Sequence, residues 1–161
     1  MSATALRQEL ADITARIAGR ALDAELGTWL NREFGPASPA SARLRLACET
    51  GVAEGWLCHR EGGGIRYGRI FKPAPDLHAF SVDVVDMHNI AGPHHSHPHG
   101  EIDLIMPLDS TALFDGHPAG WLVYAPGTAH RPTVSNGHAL VLYLLPEGRI
   151  DFTRSDSPAT P

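Results

Sequence analysis

Lysine is nearly missing from this chain of 161 residues: of its thirteen basic residues only Lys72 is a lysine, and the rest are arginines. Planar guanidinium groups suit planar anions, although the same bias also follows from genome composition. Cysteine is almost as scarce. Cys48 and Cys58 are the two present, and their number and spacing fit neither a disulfide framework nor a paired zinc motif. Small buried hydrophobes are their plainest reading. No apolar run approaches the length of a membrane span, and no basic region followed by an apolar stretch opens the chain, so a cytoplasmic, reduced protein is expected, with no membrane partner. Positive charge is outweighed as well. A formal net charge of −5 disfavours nucleic acid and anionic membrane surfaces as partners.

What the chain has in quantity is histidine, ten in all, and four of them fall within His94-His95-Ser96-His97-Pro98-His99. If this segment is extended, residues two apart share a face, so His95 and His97 present their imidazoles side by side. Glu101 rejoins them after the Pro98-His99-Gly100 kink. Two neutral imidazoles and a carboxylate with open positions beside them form the ligand set of a mononuclear centre for iron, manganese or zinc. A fourth ligand is expected from elsewhere, and His130 is the best donor. It closes Ala125-Pro126-Gly127-Thr128-Ala129-His130, where a Pro-Gly turn ends one strand and delivers a side chain. The intervening chain suits antiparallel strands: residues 102–108 and 111–114 read as strands, 115–120 as a turn, and 121–124 as a third strand.

A chain of this length predicts one domain with a core able to do without disulfides. Residues 3–34 carry a helical stripe at Leu6, Leu10, Ile13, Ile17, Leu22, Leu26 and Leu30, broken near Gly19 and stopped by Gly35-Pro36. Residues 37–41 read as a linker and 42–52 as a further helix. From Gly55 onward the texture changes to short strands between Gly, Pro and Asp, with strands over 65–71, 80–85 and 139–145. The expected division is a helical extension over 1–54, a barrel over 55–153 and a disordered tail over 154–161.

His95-x-His97, three residues, then Glu101 resembles the first motif of the cupin superfamily. Gly120, five residues, Pro126, then Gly127-x-x-His130 resembles its second. The usual glycine after Glu101 is missing, Pro126 and Gly127 are adjacent where the motif separates them, and Val134 replaces the usual asparagine, with Asn136 further on. None of these departures touches the four ligands. The resemblance implies a mainly β fold, a cupin jelly-roll barrel with an N-terminal helical extension. A narrower likeness runs through Gly51-Val52-Ala53-Glu54-Gly55-Trp56-Leu57-Cys58, Phe80-Ser81-Val82-Asp83-Val84-Val85-Asp86-Met87, Gly100-Glu101-Ile102-Asp103, Phe114-Asp115-Gly116, His130-Arg131-Pro132-Thr133-Val134 and Leu140-Val141-Leu142-Tyr143-Leu144-Leu145-Pro146. These segments are similar to the 4-hydroxylaminobenzoate lyase family. That resemblance implies release of ammonia from 4-hydroxylaminobenzoate to give 3,4-dihydroxybenzoate.

Around the ligands, Arg66 and Arg69 are candidates to hold a substrate carboxylate, and in a strand they face opposite ways, so at most one enters the barrel. Arg131 has the same ambiguity. His94 is a candidate proton donor or acceptor, as is His99, histidine being the side chain that changes charge near neutrality. Asp103 shares a face with Glu101 and could orient a ligand. Tyr124 and Tyr143 could donate to a substrate oxygen or simply pack, and Tyr124 is counted with His94, Arg66 and Arg69 in the catalytic set. The expected partners are one divalent ion, a small aromatic carboxylate and a second copy of the chain in a homodimer. Two alternatives stay open: a metal-dependent cupin oxygenase or isomerase on another small aromatic or keto acid, and a non-catalytic ligand-binding cupin.

Overall fold

The computed structural model describes residues 2–153. The tail expected over 154–161 lies outside the described residues. Three helices open the chain, α1 (Ala3–Ile17), α2 (Ala24–Phe34) and α3 (Pro39–Glu54). Each is started by a side chain that accepts from an otherwise unpaired backbone N–H: Ser2 from Ala5, Asp23 from Leu26 and Ser38 from Ser41. The expected linker over 37–41 is therefore corrected. Ser38 caps α3 and Pro39 takes its first position, where the missing N–H costs nothing.

Ten strands follow among the described residues. They are β1 (Arg60–Gly62), β2 (Ile65–Phe71), β3 (Phe80–Ala91), β4 (His95–His97), β5 (Glu101–Pro107), β6 (Leu113–Phe114), β7 (Gly120–Tyr124), β8 (Thr128–His130), β9 (Thr133–Pro146) and β10 (Asp151–Phe152). Seven form one antiparallel sheet in the order β1-β2-β3-β9-β5-β7, with β6 also on β9, and the other three form a second sheet, β10-β4-β8. The architecture is mainly β with an N-terminal helical region, as expected of the cupin jelly roll. Two strands outrun their expected ends. β3 continues to Ala91 and β9 begins at Thr133, because the pairing resumes beyond an irregularity between His88 and Ile90, with Ala91 opposite Thr133.

Both faces of the large sheet are covered, which explains its long apolar runs. On β9, Leu140, Leu142 and Leu144 pack with Leu6, Leu10, Leu26 and Leu30 of the helices, while Ala139, Val141, Tyr143 and Leu145 belong to a separate cluster with Met87, Ile105 and Phe114. Alternation along the strand thus sorts one set under the helices and the other into the barrel. The helices share one continuous core with the outer face of the sheet. No helix among the described residues is long and apolar enough to cross a membrane.

Candidate metal centre

The site forms where the two sheets face each other. His95 and His97 come from β4 and His130 from β8, which pair so that His95 lies opposite His130 and His97 opposite Thr128. Glu101 opens β5 in the large sheet. Between β4 and β5 the chain turns at Gly100, whose φ of +89° belongs to the left-handed region. A Cβ there would also lie 2.7 Å from Leu22 and 2.8 Å from the Tyr124 carbonyl oxygen. Glycine at this step is what lets Glu101 fold back onto the histidines.

Three imidazole Nε2 atoms converge on the carboxylate. Glu101 Oε1 lies 3.4 Å from His95 Nε2 and 3.3 Å from His97 Nε2, Oε2 lies 3.5 Å from His130 Nε2, and the two nitrogens of His130 and His95 are 3.0 Å apart. His95, His97 and Glu101 are all but fully buried. The Thr128 hydroxyl donates to the Ala125 carbonyl at 2.6 Å, so toward His97 Nδ1, 3.1 Å away, it acts as acceptor. That places the His97 proton on Nδ1 and leaves Nε2 as a bare lone pair. Likewise Asp115 Oδ2 accepts from His130 Nδ1 at 2.5 Å and turns its Nε2 inward.

These contacts test whether a cation fits. His97 Nε2 and both oxygens of Glu101 are buried without a hydrogen-bond partner, and the four ligand atoms lie within 4.8 Å of one another. Buried lone pairs pointing at one another are costly. A divalent ion resolves that cost, and imidazole with carboxylate is a donor set suited to iron, manganese or zinc.

The electrostatics follow from the same geometry. Burial pushes Glu101 up, but the imidazoles of His130, His95 and His97 gathered around it outweigh burial and hold the carboxyl well below its ordinary range. Burial lowers His130, yet its bonds to Asp115 and Glu101 prevail and raise it to about 9. Asp103, fully buried, is raised well above the usual range by burial and then by the charge of Glu101, which favours its protonated form. Cys48 and Cys58 are free and buried, and burial pushes both thiols up to about 12, which fits inert packing.

A cavity of about 790 Å³ opens from this centre, with His95 and Tyr143 in its wall together with Arg60, Arg69, Asp83 and Arg131. Of the residues proposed from sequence for the chemistry, Arg69 lines the cavity and Arg66 does not. Arg69 bonds Asp83 at 2.7 Å and the Gly148 carbonyl at 3.2 Å, while Arg66 stands 4.0 Å from Asp86. Arg131 lines it too, with Nη1 donating to the Gly92 carbonyl at 3.3 Å. His94 is outside the cavity wall and its Nδ1 is 2.7 Å from the Thr153 hydroxyl. His99 is paired with Glu147.

Tyr124 is also absent from the wall, and its hydroxyl donates to Asp115 Oδ2 at 2.5 Å. Sequence reasoning missed Asp115 altogether. It takes hydrogen bonds from His130, Tyr124 and the Thr133 backbone N–H, and these hold its carboxyl below the ordinary value against the opposite effect of burial. Arg60 of the cavity wall was missed as well, and nothing in its local sequence marks it.

An antiparallel two-sheet barrel with three histidines and a glutamate gathered between its sheets defines a cupin-type protein with a cluster able to hold a metal ion. A profile of the 4-hydroxylaminobenzoate lyase family matches residues 8–152. A 4-hydroxylaminobenzoate lyase of Pseudomonas putida is 33% identical over 158 residues, covering 88% of this chain and 90% of its own. A second, from Nocardioides sp. (strain LMS-CY), is 34% identical over 137 residues, 80% of this chain and 81% of its own. The chain belongs to the 4-hydroxylaminobenzoate lyase family, a family of enzymes, which sets aside the non-catalytic binding barrel. Among solved structures, an RmlC-like cupin protein from Ralstonia eutropha JMP134 superposes with a TM-score of 0.43 at 12% identity, covering 59% of this chain and 64% of that one.

Proposed function

We propose that this lyase converts 4-hydroxylaminobenzoate and water into 3,4-dihydroxybenzoate and ammonia, with one divalent metal ion held by His95, His97, Glu101 and His130. The observation that carries the reading is the meeting of three Nε2 atoms and one buried carboxylate at a cavity of about 790 Å³, within the size range of small-ligand sites. Bound there, the ion supplies a Lewis acid for an N–O oxygen and lowers the pKa of a coordinated water.

The atoms balance without an oxidant. The N–O bond breaks with its electron pair on oxygen, which takes a proton and leaves as water. Another water adds its oxygen to the ring carbon beside the nitrogen and gives a proton back. A further water then adds at the carbon bearing nitrogen, and ammonia departs. Arg60, Arg69 and Arg131 are the cations in the cavity wall that face a substrate carboxylate; Arg69 already gives Nε and Nη2 to Asp83 and Gly148, so its Nη1 is the group it has for the substrate. Ile65, Val85, Met87 and Phe152 supply the apolar walls for the ring. Holding the ring by its far end is what places the reacting nitrogen at the ligand cluster.

Cytoplasmic residence belongs to the same proposal, in keeping with two free buried thiols. So does a homodimer, for which the fully exposed edge strand β1 offers a pairing surface. The decisive trial is ammonia and catechol release from 4-hydroxylaminobenzoate, followed with an oxygen electrode. The proposal expects one ammonia per catechol, no oxygen uptake, and loss of activity in His95→Ala and in chelator-treated protein. Full activity in both treated samples would remove the metal, and oxygen uptake in step with turnover would replace the lyase by an oxygenase.

A further inference from the structure

The barrel interior presents two tyrosines near the ligand cluster, and they differ in one respect. Tyr124 has spent its hydroxyl on Asp115, 2.5 Å away, on the side of His130 that faces away from Glu101. Tyr143 has no hydrogen bond from its hydroxyl among the described residues, yet it lines the cavity. It is only 5% exposed, so its polar tip can be satisfied by little besides what the cavity holds.

Its place in the sheet is set by register. Tyr143 sits on β9 directly between Asp83 of β3 and Asp103 of β5, and Asp83 in turn lies opposite Arg69 of β2. One row across the sheet therefore reads Arg69, Asp83, Tyr143, Asp103, all on the barrel side. Two residues along β5 from Asp103, on the same face, is the ligand Glu101. The ring of Tyr143 lies 6.5 Å from that of His95 and 6.3 Å from that of Phe114. Between Arg69 at one end of this row and the ligand cluster at the other, Tyr143 offers the cavity a phenol hydroxyl for which the described residues supply no partner.

Resting on the reading of the preceding section, we propose that Tyr143 is a catalytic residue that donates a hydrogen bond to the hydroxylamino oxygen of the substrate. As the N–O bond breaks, negative charge gathers on that oxygen, and a preorganised donor aimed at it is stronger in the transition state than in the ground state. The ring of Tyr143 is buried in one cluster with Phe114, 6.3 Å from its ring, and such packing restricts the donor's freedom before the reaction begins. The phenol keeps its own proton: the bond assists departure and transfers nothing.

The test is Tyr143→Phe, which preserves the ring and removes the oxygen. The variant should keep the parent's metal content and melting temperature, and its kcat should fall about a hundredfold, the usual scale for one donor to a developing oxyanion. Inhibition by 4-aminobenzoate, which lacks the N–O oxygen, should be unchanged, because the lost contact is to that oxygen alone. A kcat within about threefold of the parent overturns the proposal. So does a matching loss of metal content or of 4-aminobenzoate binding, which would make Tyr143 a structural or general binding residue. If the parent enzyme itself releases no ammonia from the hydroxylamine, the reaction assignment fails and this inference falls with it; an active parent with an equally active variant sinks the inference alone.

Discussion

Replacing Asp115 by asparagine changes one atom and should cost the protein most of its grip on the metal. Asp115 accepts three hydrogen bonds, from His130 Nδ1 at 2.5 Å, the Tyr124 hydroxyl at 2.5 Å and the Thr133 backbone N–H at 2.9 Å. Asparagine keeps one acceptor oxygen. If that oxygen stays on the Thr133 N–H, the new amide nitrogen faces two donors, and the imidazole can satisfy it only by moving its proton to Nε2. The lone pair that pointed at Glu101 and His95 is then gone. If the amide turns over instead, Thr133 loses its partner and the loop that carries Asp115 loosens. Outer partners of a ligating histidine are worth about 10- to 100-fold in metal affinity, about 1.4 to 2.8 kcal/mol, and loss of the ligating tautomer puts Asp115→Asn at the upper end. Competition against a calibrated chelator measures it. Removing the Asp115 charge also lowers the proton affinity of His130, which favours metal at neutral pH, so the comparison belongs above the point where His130 itself loses its proton, about 9. An affinity within about threefold of the parent there would refute the claim that Asp115 sets the His130 tautomer.

Other predictions concern pH, substrate binding and packing. In protein stripped of metal by a chelator, His130 is raised from its ordinary value of 6.5 to about 9, so its contribution is complete below 6.5 and lost as pH climbs through 9; Asp103, also raised, acts with the same sign. Stability by denaturant titration should then fall over that window by a few kcal/mol, since each tenfold gain in proton affinity on folding is worth ~1.4 kcal/mol, and a flat or rising profile would contradict the assigned hydrogen bonds. Arg69→Met and Arg131→Met should each raise KM for the aromatic acid about tenfold or more, the scale of a hydrogen bond to a charged group, whereas Arg66→Met, outside the cavity, should leave it alone; equal effects at all three positions would remove the carboxylate clamp. Leu142, fully buried between the sheet and the helices, should cost about 2 to 5 kcal/mol as alanine while metal content per folded molecule stays constant.

How far the residues announced this arrangement depended on whether the information was local. The four residues of the cluster sit in two short segments, His95 to Glu101 and the turn ending at His130, and each segment carries its own geometry: a two-residue alternation, a glycine reversal, a Pro-Gly delivery. The helix cap at Ser38-Pro39 was equally local, and reading those residues as a linker overlooked that proline is at home in the first helical turn. Asp115 was hidden for a different reason. It occupies a left-handed turn position, φ 50°, which aspartate tolerates for purely local reasons, so its place in a turn gave no hint that the same side chain reaches across to His130, Tyr124 and Thr133.

The tyrosines show where such reading stops. Tyr124 ends β7 and Tyr143 lies within the apolar run of β9, and no alternation within either strand says which one opens on the cavity. The answer is held in pairing. β5 sets Glu101 opposite Tyr124 on one side and Asp103 opposite Tyr143 on the other, so the two tyrosines pair with β5 residues that are two positions apart. A one-residue slip between β5 and β9 would put Leu142 or Leu144 where Tyr143 stands and turn the phenol toward the helices. What holds that register is the helix-side core, because Leu140, Leu142 and Leu144 can be buried under α1 and α2 only in the observed phase. The N-terminal helices, by fixing the face on which the β9 leucines lie, thus set Tyr143 rather than a leucine on the side of the sheet that lines the cavity.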